Sequence, residues 1–386
     1  MSFNNIILKD FCNINPLTTL KKGEVYNFIE MQDICPGYRF VSPLKAKAYK
    51  GGSKFLNNDI LFARITPCLE NGKIAQAELN NEMPGFGSTE FIIFRYKENI
   101  SDPNFLFYLM CSDLIRKPAE KSMTGASGRQ RANIEFIKDL QINLPDINLQ
   151  RKIGSVLTEY DLLIKNNIRR IEILEETALI IYSEFFIKNK SDNWEMKSIL
   201  DIDIFNFCRS RIKKYDGYKE YFDTSSIDGI KIIEKGLMCE YDKRPSRAQI
   251  KPINNSVWFA RMRETYKVLV FNQLNNNEAD NSILSTGMVG FSTEEEYLGF
   301  LFFTINSKWF HKLKDQFATG ATQVSLTNEG LSKMKLSVPE KDLIVKYSKI
   351  TNPIVDEIIL LLKKNKNLIN TRDLLLPKLM SGEIEL

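Results

Sequence analysis

The sequence predicts an α+β protein with two pseudo-repeated domains, separated by two long antiparallel helices that form a coiled coil. Three observations lead to this fold class. Short segments recur in the same order at a nearly constant offset, strand-like apolar runs precede each helical region, and both helical regions carry a narrow heptad seam. The 386 residues are enough for two or three domains of ordinary size.

An internal repeat is visible in three pairs of segments: LNNDILFARI (56–65) with INNSVWFARM (253–262), TGA (124–126) with TGA (319–321), and NIEFIKDLQINLP (133–145) with TNEGLSKMKLSVP (327–339). The order is conserved between the copies, and the offset falls only from 197 to 194 residues. Chance rarely gives three matches in register. We therefore predict that residues 1–188 and 189–386 are two copies of one structural unit.

Each copy begins with a mixed part. Apolar and β-branched runs predict strands at residues 59–65, 73–79, 88–95, 257–262, 266–272 and 282–291, and short alternating strands at QINLP and KLSVP. Helical apolar spacing predicts helices at residues 103–117 and 294–315. The two TGA segments are expected to be loops, where glycine permits a tight backbone.

Each copy ends in a long helix. Apolar residues recur at spacings of four and three along residues 150–186, at Ile153, Leu157, Tyr160, Ile164, Asn167, Ile171, Leu174, Ala178, Ile181 and Phe185. The second copy repeats this rhythm at Ile354, Ile358, Leu361, Asn365, Leu368, Arg372, Leu375 and Leu379. So narrow a seam favours helix pairing over packing on the helix's own domain. Pro353 is expected to break or kink the second helix near its start.

The seams also predict a register, because each contains one asparagine. If Asn167 faces Asn365 in an antiparallel pair, nearly all other layers are apolar, and Tyr160 against Arg372 is the one other polar layer. Two buried amides can bond each other, whereas a facing leucine would leave either amide unsatisfied. Such a layer fixes register at some cost in stability. The alternative is that both asparagines face solvent on irregular helices.

The composition argues against several classes of chemistry. The six cysteines form no CxxC pair, which favours reduced cytosolic thiols over a disulfide framework or zinc site. His311 is the only histidine, and its WFHKLK context predicts a surface or helix-capping position. The chain has no Pro-Pro, as an amino-methyltransferase tetrapeptide would need, and no GxxxxGK[ST] phosphate loop. No secretory signal or membrane-spanning run is evident.

Local charge suggests a polyanionic partner. Residues 39–73 carry seven Lys and Arg against two Asp and Glu, and residues 209–270 carry fourteen against eight. On charge alone, a solvated basic surface is equally acceptable. The triplet Glu195-Met196-Lys197 resembles a nuclease fragment, but no partner acid stands at a convincing distance upstream.

The chain resembles the specificity (S) subunit of Type I restriction–modification systems over essentially its whole length. The matching segments are GSTEFIIFR (87–95), TGASGRQ (124–130), INLPDINLQRKIGSVLTEYD (142–161) and LLLPKLMSGEIEL (374–386). The second junction, SVPEKDLIVKYSKI, lacks the glutamine of the first and departs from the pattern. The resemblance implies a DNA sequence-specificity subunit that reads a bipartite target with two target-recognition domains.

The resemblance implies partners as well as a domain layout. It places the first recognition domain at 1–146, the first spacer helix at 147–188, the second recognition domain at 189–340, and the second spacer helix with the C-terminal tail at 341–386. Two modification (methyltransferase) subunits would dock on the helices, and restriction subunits would join them. S-adenosylmethionine and ATP are expected on those subunits, with no cofactor, metal or catalytic residue in this cytoplasmic chain.

Candidate DNA contacts come from local chemistry. Arginine and glutamine make the bidentate contacts that distinguish guanine and adenine, so Arg129, Gln130 and Arg131 beside the first TGA segment, and Gln323 beside the second, are candidates for base contact. The candidates for phosphate contact, which would position without specifying, are Lys45, Lys47, Lys50, Lys54, Lys213, Lys214, Lys243, Arg244, Arg247, Arg261 and Arg263.

Two other classes of function stay open from sequence. One is a stand-alone DNA methyltransferase or endonuclease, against which the missing motifs count. The other is a helical scaffold unrelated to DNA, for which the repeat and the coiled coil would suffice.

Overall fold

A computed structural model describes residues 3–79, 83–126, 128–233, 235–320 and 323–386. Helices and strands are mixed throughout, which confirms the predicted α+β class. The chain divides into two compact units. The first unit comprises Met1–Asn166 and Asn365–Leu386, and the second comprises Asn167–Lys364. Each unit therefore contains one mixed domain and a part of both long helices.

The first domain has two main sheets and one strand pair. The five-stranded sheet has the order Cys12–Ile14, Phe91–Tyr96, Ile60–Ala63, Ile74–Ala77, Phe40–Val41, the four-stranded sheet the order Lys45–Ala48, Val25–Ile29, Gly85–Gly87, Ser53–Phe55, and Phe3–Ile7 pairs with Gln141–Pro145. The short helices are Leu8–Phe11, Met31–Asp33, Pro103–Cys111, Asp113–Lys121 and Ile134–Lys138.

The second domain repeats this plan. Its sheets have the orders Asn206–Phe207, Met288–Ser292, Ser256–Ala260, Val268–Phe271, and Leu237–Cys239, Lys219–Phe222, Ser282–Ser285, Ala248–Ile250. The strand pairs are Glu195–Ser198 with Lys335–Val338, Ile227–Asp228 with Lys231–Ile232, and Ala318–Thr319 with Ser325–Leu326. The short helices are Ile199–Asp201, Tyr241–Lys243, Gln273–Asn275, Asn276–Asn281, Glu295–Tyr297, Leu298–Asn306, Lys308–Phe317 and Asn328–Lys333.

The two domains share even their unusual strand pairing. In the first, Val25–Ile29 runs parallel to Gly85–Gly87 within an otherwise antiparallel sheet. In the second, Lys219–Phe222 runs parallel to Ser282–Ser285 in the equivalent place. A parallel pair needs a long crossover connection, so its recurrence reflects a repeated topology. The predicted pseudo-repeat is confirmed.

Three predicted elements are divided in the structure. The helix predicted at 103–117 is two helices that meet at Ser112, and the helix predicted at 294–315 breaks at Ser307. Both serines have extended backbone and begin the following helix. The strand predicted at 282–291 is two strands in different sheets, since the chain turns at residues 286–287.

The two long helices are Ile147–Ser183, with 37 residues, and Lys341–Ser381, with 41 residues. A π-helical turn, Glu184–Lys188, follows the first. The prediction that Pro353 breaks the second helix is wrong, because helical structure is continuous through it. Proline removes the hydrogen bond to the carbonyl of Lys349, four residues earlier, and its ring crowds that carbonyl, but Lys349 is exposed, so this side of the helix can adjust toward water.

Within each unit the helix segments run antiparallel. In the first, Asp161 pairs with Arg372, while Lys152 donates to the carbonyl of Leu386 farther along. Asp161, not Tyr160, is the buried residue beside Arg372, so that predicted layer is corrected. The carboxylate fits there because Arg372 supplies the opposite charge that a buried acid requires.

In the second unit, the helix segments are joined by Arg170 to Glu357, at 2.7 Å, and by the hydroxyl of Tyr347, which donates to the carbonyl of Ala178. The order of these contacts along the two segments is again antiparallel. Near the end of the first helix, Tyr182 and Phe186 are buried where the seam predicted Ile181 and Phe185, next to the π-helical turn.

The two seam asparagines are both buried. Asn167 in the second unit is 4% exposed, and Asn365 in the first unit is 3% exposed. Neither side chain therefore faces solvent. The alternative interpretation, in which both asparagines face solvent, is wrong. That the two amides face each other stays a prediction.

A buried polar network joins the first domain to the helix segments of its own unit. The guanidinium of Arg39 donates to Gln76, Asn104 and Thr158, and also to the hydroxyl of Tyr108. That hydroxyl donates to Asp161, the partner of Arg372. Burial raises the pKa of Asp161, and the charge of Arg372 opposes this shift.

The described residues include no helix that is both long and apolar enough to cross a membrane.

Candidate nucleic-acid interface

The first TGA segment lies against the end of a central strand. The strand Ile60–Ala63 leads into Arg64, whose carbonyl accepts the backbone N–H of Ala132 at 2.8 Å. Two residues on, the N–H of Thr66 donates to the carbonyl of Gln130 at 3.0 Å. These bonds hold residues 124–131, the first loop, at the end of the strand.

The second TGA segment is held by the equivalent bonds. The N–H of Leu326 donates to the carbonyl of Arg261 at 2.8 Å, and the N–H of Arg263 donates to the carbonyl of Val324 at 3.1 Å. Residues 319–325, the second loop, are therefore held at the equivalent position in the second domain. The two copies of the TGA segment thus correspond to two loops, each attached to the end of an equivalent strand.

The glycine of each TGA segment is required by its backbone. Gly125 has φ of 129° and Gly320 has φ of 139°, a region that residues with a side chain rarely adopt. A Cβ on Gly320 would lie 2.4 Å from the carbonyl oxygen of Gln323. Ser127 of the first loop, and Ala321 and Thr322 of the second, lie outside the described residues.

The candidates in the first loop differ in their surroundings. Arg129 is exposed, and its guanidinium contacts no described residue by hydrogen bond or ion pair. Gln130 is half-buried and fixed through its backbone by Thr66. Arg131 is already engaged, since its Nε and Nη2 donate to the two oxygens of Glu90 at 2.9 and 2.6 Å.

Glu90 is shared by two arginines. The Nε of Arg64 also donates to it, at 3.3 Å. The hydrogen bond from Arg131, followed by that from Arg64, lowers the pKa of the Glu90 carboxyl. The carboxylate is therefore ionised at neutral pH and partly neutralises both arginines.

The first basic patch consists of Lys45, Lys47, Lys50 and Lys54, and it lies on an edge strand and the segment after it. Lys45 and Lys47 are exposed on Lys45–Ala48, but both pair with Glu30, at 3.4 and 2.8 Å. The ammonium of Lys47 also lies 3.8 Å from the ring centre of Phe28. These contacts leave Lys50 and Lys54 as the lysines of the patch without a carboxylate partner among the described residues.

In the second domain, two of the candidate side chains stabilise the fold through hydrogen bonds to neighbouring segments. The guanidinium of Arg244 donates to the carbonyls of Tyr241 and Ala248 and covers the Tyr241 ring at 3.9 Å. Arg261 donates to the carbonyl of Leu326 at 2.9 Å and to Asn328 at 3.2 Å. Both side chains fasten neighbouring segments of the domain.

The remaining candidates of the second domain are exposed. Lys243 pairs with Glu240, Arg263 lies 3.9 Å from Glu264, and Gln323 donates to the sulfur of Met262. Three others are exposed without a side-chain partner among the described residues: Lys213, Lys214 and Arg247.

Sequence reasoning missed Glu90, Glu30 and Arg211. Glu90 lies inside the segment GSTEFIIFR (87–95), and no local pattern there indicates that it pairs with Arg64 and Arg131. The search for basic residues overlooked the acids that neutralise them. No group of three or more His, Cys, Asp or Glu side chains within the described ranges could hold a metal ion.

Comparison with known proteins gives a consistent result. Residues 2–176 match the family described as the Type I restriction modification DNA specificity domain. The specificity subunit of the Type I restriction enzyme HindI from Haemophilus influenzae is 21% identical over 419 residues, which cover 89% of this chain and 90% of that protein. The MjaIX specificity subunit of Methanocaldococcus jannaschii is 23% identical over 310 residues, or 72% of this chain and 68% of that protein.

A solved structure has the same fold. The S subunit of the Type I restriction–modification system of M. genitalium superposes with a TM-score of 0.50 at 17% sequence identity. The superposition covers 98% of this chain and 96% of that one. At this identity the likeness concerns the fold alone.

Proposed function

We propose that the chain is a specificity subunit of a Type I restriction–modification system and that each of its two domains selects one half of a bipartite DNA sequence. The proposal rests on the equivalent placement of the first loop and the second loop. Both domains present an exposed loop on the same strand end through the same backbone bonds. Two equivalent reading surfaces suit a target with two half-sites, as symmetric dimers suit palindromes.

The loop residues are proposed to contact base edges. Arg129 and Gln323 occupy equivalent positions in the two loops, and both are exposed. Either side chain can form two hydrogen bonds to a purine in the major groove. Gln130 and Arg131 are the further candidates in the first domain, and for Arg131 a base would have to compete with Glu90. The lysines and arginines outside the loops would bind phosphates and set position.

The long helices are proposed to set the spacing between the half-sites. The 37 residues of Ile147–Ser183 extend about 55 Å at 1.5 Å per residue. At about 3.4 Å per base pair this length corresponds to roughly 16 base pairs, more than one turn of DNA. A buried Asn167–Asn365 layer would fix the helix register, and a slip by one heptad would shift it by about 10 Å.

The helices are also proposed to bind two methyltransferase subunits, which restriction subunits would then join. Apolar residues are exposed along both helices, among them Leu162, Leu163, Ile173, Ile180 and Leu374. These side chains lie on helices that already bury one seam, so they are available for contact with a protein partner. The partner subunits would carry S-adenosylmethionine, ATP and the catalytic residues, and this chain would act in the cytoplasm without a cofactor of its own.

The test is a methylation assay with separated components. The purified chain is incubated with S-adenosylmethionine and genomic DNA, alone and with a Type I methyltransferase subunit from the same cells. Methyl transfer to one bipartite sequence is expected only in the mixture. Methyl transfer by the chain alone would identify a methyltransferase instead, and a mixture that neither binds nor methylates DNA would contradict the proposed role.

A further inference from the structure

The two domains differ in charge at equivalent positions beside the first loop and the second loop. The N–H of Arg64 donates to the carbonyl of Glu90 at 3.0 Å, and the N–H of Arg261 donates to the carbonyl of Gly287 at 2.8 Å. The structure thereby makes Gly287 the counterpart of Glu90. The second domain has the same arginine but lacks its carboxylate.

A second exchange lies on the neighbouring segment. The N–H of Asn15 donates to the carbonyl of Ile93, and the N–H of Cys208 donates to the carbonyl of Gly290. Counting three residues onward from each donor makes Arg211 the counterpart of Thr18. In the first domain, Thr18 and Arg64 line one cavity, together with Lys54 and Thr89. By this correspondence, Arg211 and Arg261 are the residues of the second domain that take the places of Thr18 and Arg64.

Among the described residues, neither Arg211 nor Arg261 has a negatively charged partner. The backbone of Arg211 forms an antiparallel β-bridge with Ile250. The side chain of Arg211 is exposed and makes no ion pair with any residue that the structure describes. Arg261 donates only to neutral oxygens, those of Leu326 and Asn328. Burial and then the positive charge of Arg211 lower the pKa of Arg261, in keeping with two cations close together.

We propose that Arg211 and Arg261 together bind one DNA backbone phosphate, and that Glu90 blocks the equivalent phosphate site in the first domain. Two guanidinium groups without a counter-ion favour a doubly coordinated anion, and phosphate matches their planar donors. In the first domain a carboxylate with two acceptor oxygens already occupies Arg64 and Arg131. The inference rests on the proposed DNA-binding function and adds that the two domains hold the DNA backbone unequally.

The test measures binding of the full chain to a mixed-sequence DNA duplex over a series of salt concentrations by fluorescence anisotropy. Arg211→Gln is expected to weaken binding and to reduce the slope of log affinity against log salt by about 1, the value for one lost phosphate contact. Lys312→Gln is the matched control, because Lys312, on the helix Lys308–Phe317 of the same domain, is an exposed cation with no side-chain partner in the described part of the chain. A slope for Arg211→Gln equal to that of the control would overturn the proposal.

Two charge exchanges give opposite expectations. Glu90→Gln should strengthen binding and steepen the slope, because Arg64 and Arg131 become available to phosphate. Gly287→Glu should weaken binding as Arg211→Gln does. A Cβ at Gly287 would lie 3.1 Å from the Thr224 methyl, which has to move by a few tenths of an ångström, and 3.5 Å from the Ser285 hydroxyl. If both exchanges leave the slope unchanged, the proposal is wrong.

The controls separate this inference from the proposed function. A wild-type chain without salt-dependent DNA binding would overturn both. Wild-type binding with a normal salt slope, together with an unaffected Arg211→Gln variant, would overturn only the phosphate site. Thermal unfolding of each variant shows whether a change in binding reflects misfolding.

Discussion

His311 lies inside the second domain. The expectation of a surface or capping position is wrong, because the helix Lys308–Phe317 turns this face toward the domain. The centre of its ring lies 4.8 Å from that of Tyr266 and 6.2 Å from that of Phe310. The charged groups that face it are Lys314 and Asp315, both from its own helix. Its Nδ1 is buried without a hydrogen-bond partner among the described residues.

We predict that His311 is neutral down to strongly acidic pH. Burial, reinforced by the charge of Lys314, lowers the pKa of His311 to about 4 from its ordinary 6.5. The unfolded chain then binds a proton between these values and the folded chain does not. Stability is therefore full above about pH 6.5 and falls as the pH drops toward 4.

Proton NMR can measure this directly, because the chain has one histidine and its imidazole signals need no assignment. The expected midpoint lies near pH 4. A midpoint near 6.5 in the folded chain would show that the ring is accessible to water. In His311→Phe, the loss of stability between pH 6.5 and 4 should be smaller than in the wild type.

The lysines of the first patch should contribute unequally to DNA binding. Changing Lys45, Lys47, Lys50 and Lys54 together to alanine should weaken binding to all sequences and flatten the salt dependence. Because Glu30 already pairs with Lys45 and Lys47, the double variant Lys50→Ala/Lys54→Ala should reduce the slope more than Lys45→Ala/Lys47→Ala. Equal slopes for the two double variants would contradict this ranking, and an unchanged slope in the quadruple variant would remove the patch from the DNA surface.

At the scale of single residues, the sequence identifies cations but not their partners. It could nominate Arg131 and Arg261 by chemical type. It could not show that Arg131 is bound by a carboxylate 41 residues earlier, or that Arg261 fastens the carbonyl of Leu326. Such pairings depend on the sheet topology, which brings distant segments together, and are invisible to local pattern.

At the scale of elements, a glycine lets a short helix pack closely against a long helix in each unit, but the glycine is on the long helix in one unit and on the short helix in the other. In the first unit, Gly154 of the long helix lies against the start of Pro103–Cys111, and a Cβ there would be 2.8 Å from the N of Phe105. In the second unit, the glycine belongs to the short helix instead. A Cβ on Gly299 would lie 2.3 Å from the hydroxyl of Thr351 on the long helix.

We predict that Gly154→Ala destabilises the first unit by about 1–3 kcal/mol through overpacking. Helix propensity alone predicts the opposite sign, since alanine is favoured over glycine by about 1 kcal/mol in a helix interior. Ser155→Ala, at the exposed neighbouring position, is the control and should change little. Urea unfolding of the three chains decides the sign, and a stabilised Gly154→Ala variant would refute the close contact.

Element boundaries illustrate a limit of periodicity. The helical pattern continues through Ser112 and Ser307, so the sequence predicted single helices where the structure has pairs. The long helices were predictable because their seams extend over many turns and tolerate local irregularity. Even there, the buried charge at Asp161 was missed, since its partner Arg372 lies 211 residues away.

At the scale of the whole molecule, the repeated topology predicts modular recognition. Exchanging residues 1–146 for the same domain of a related subunit should change one half of the target sequence and leave the other half unchanged. The reason is that the second domain keeps its own sheets, loop and core. Sequencing of methylated bases after reconstitution gives the answer, and a chimera with both halves altered would refute modularity.

The composition of the first unit also has a consequence for how the protein is made. Its core combines Ile153 and Leu157 with Leu379 and Met380, and its buried Asp161 depends on Arg372. About 200 residues of the second unit lie between these two sets. At a ribosomal rate of roughly 5–20 residues per second, the earlier segment waits some 10–40 s for its complement. The domain that leaves the ribosome first is therefore the last to be completed, and during that interval nascent chains expose an unfinished core to chaperones and proteases.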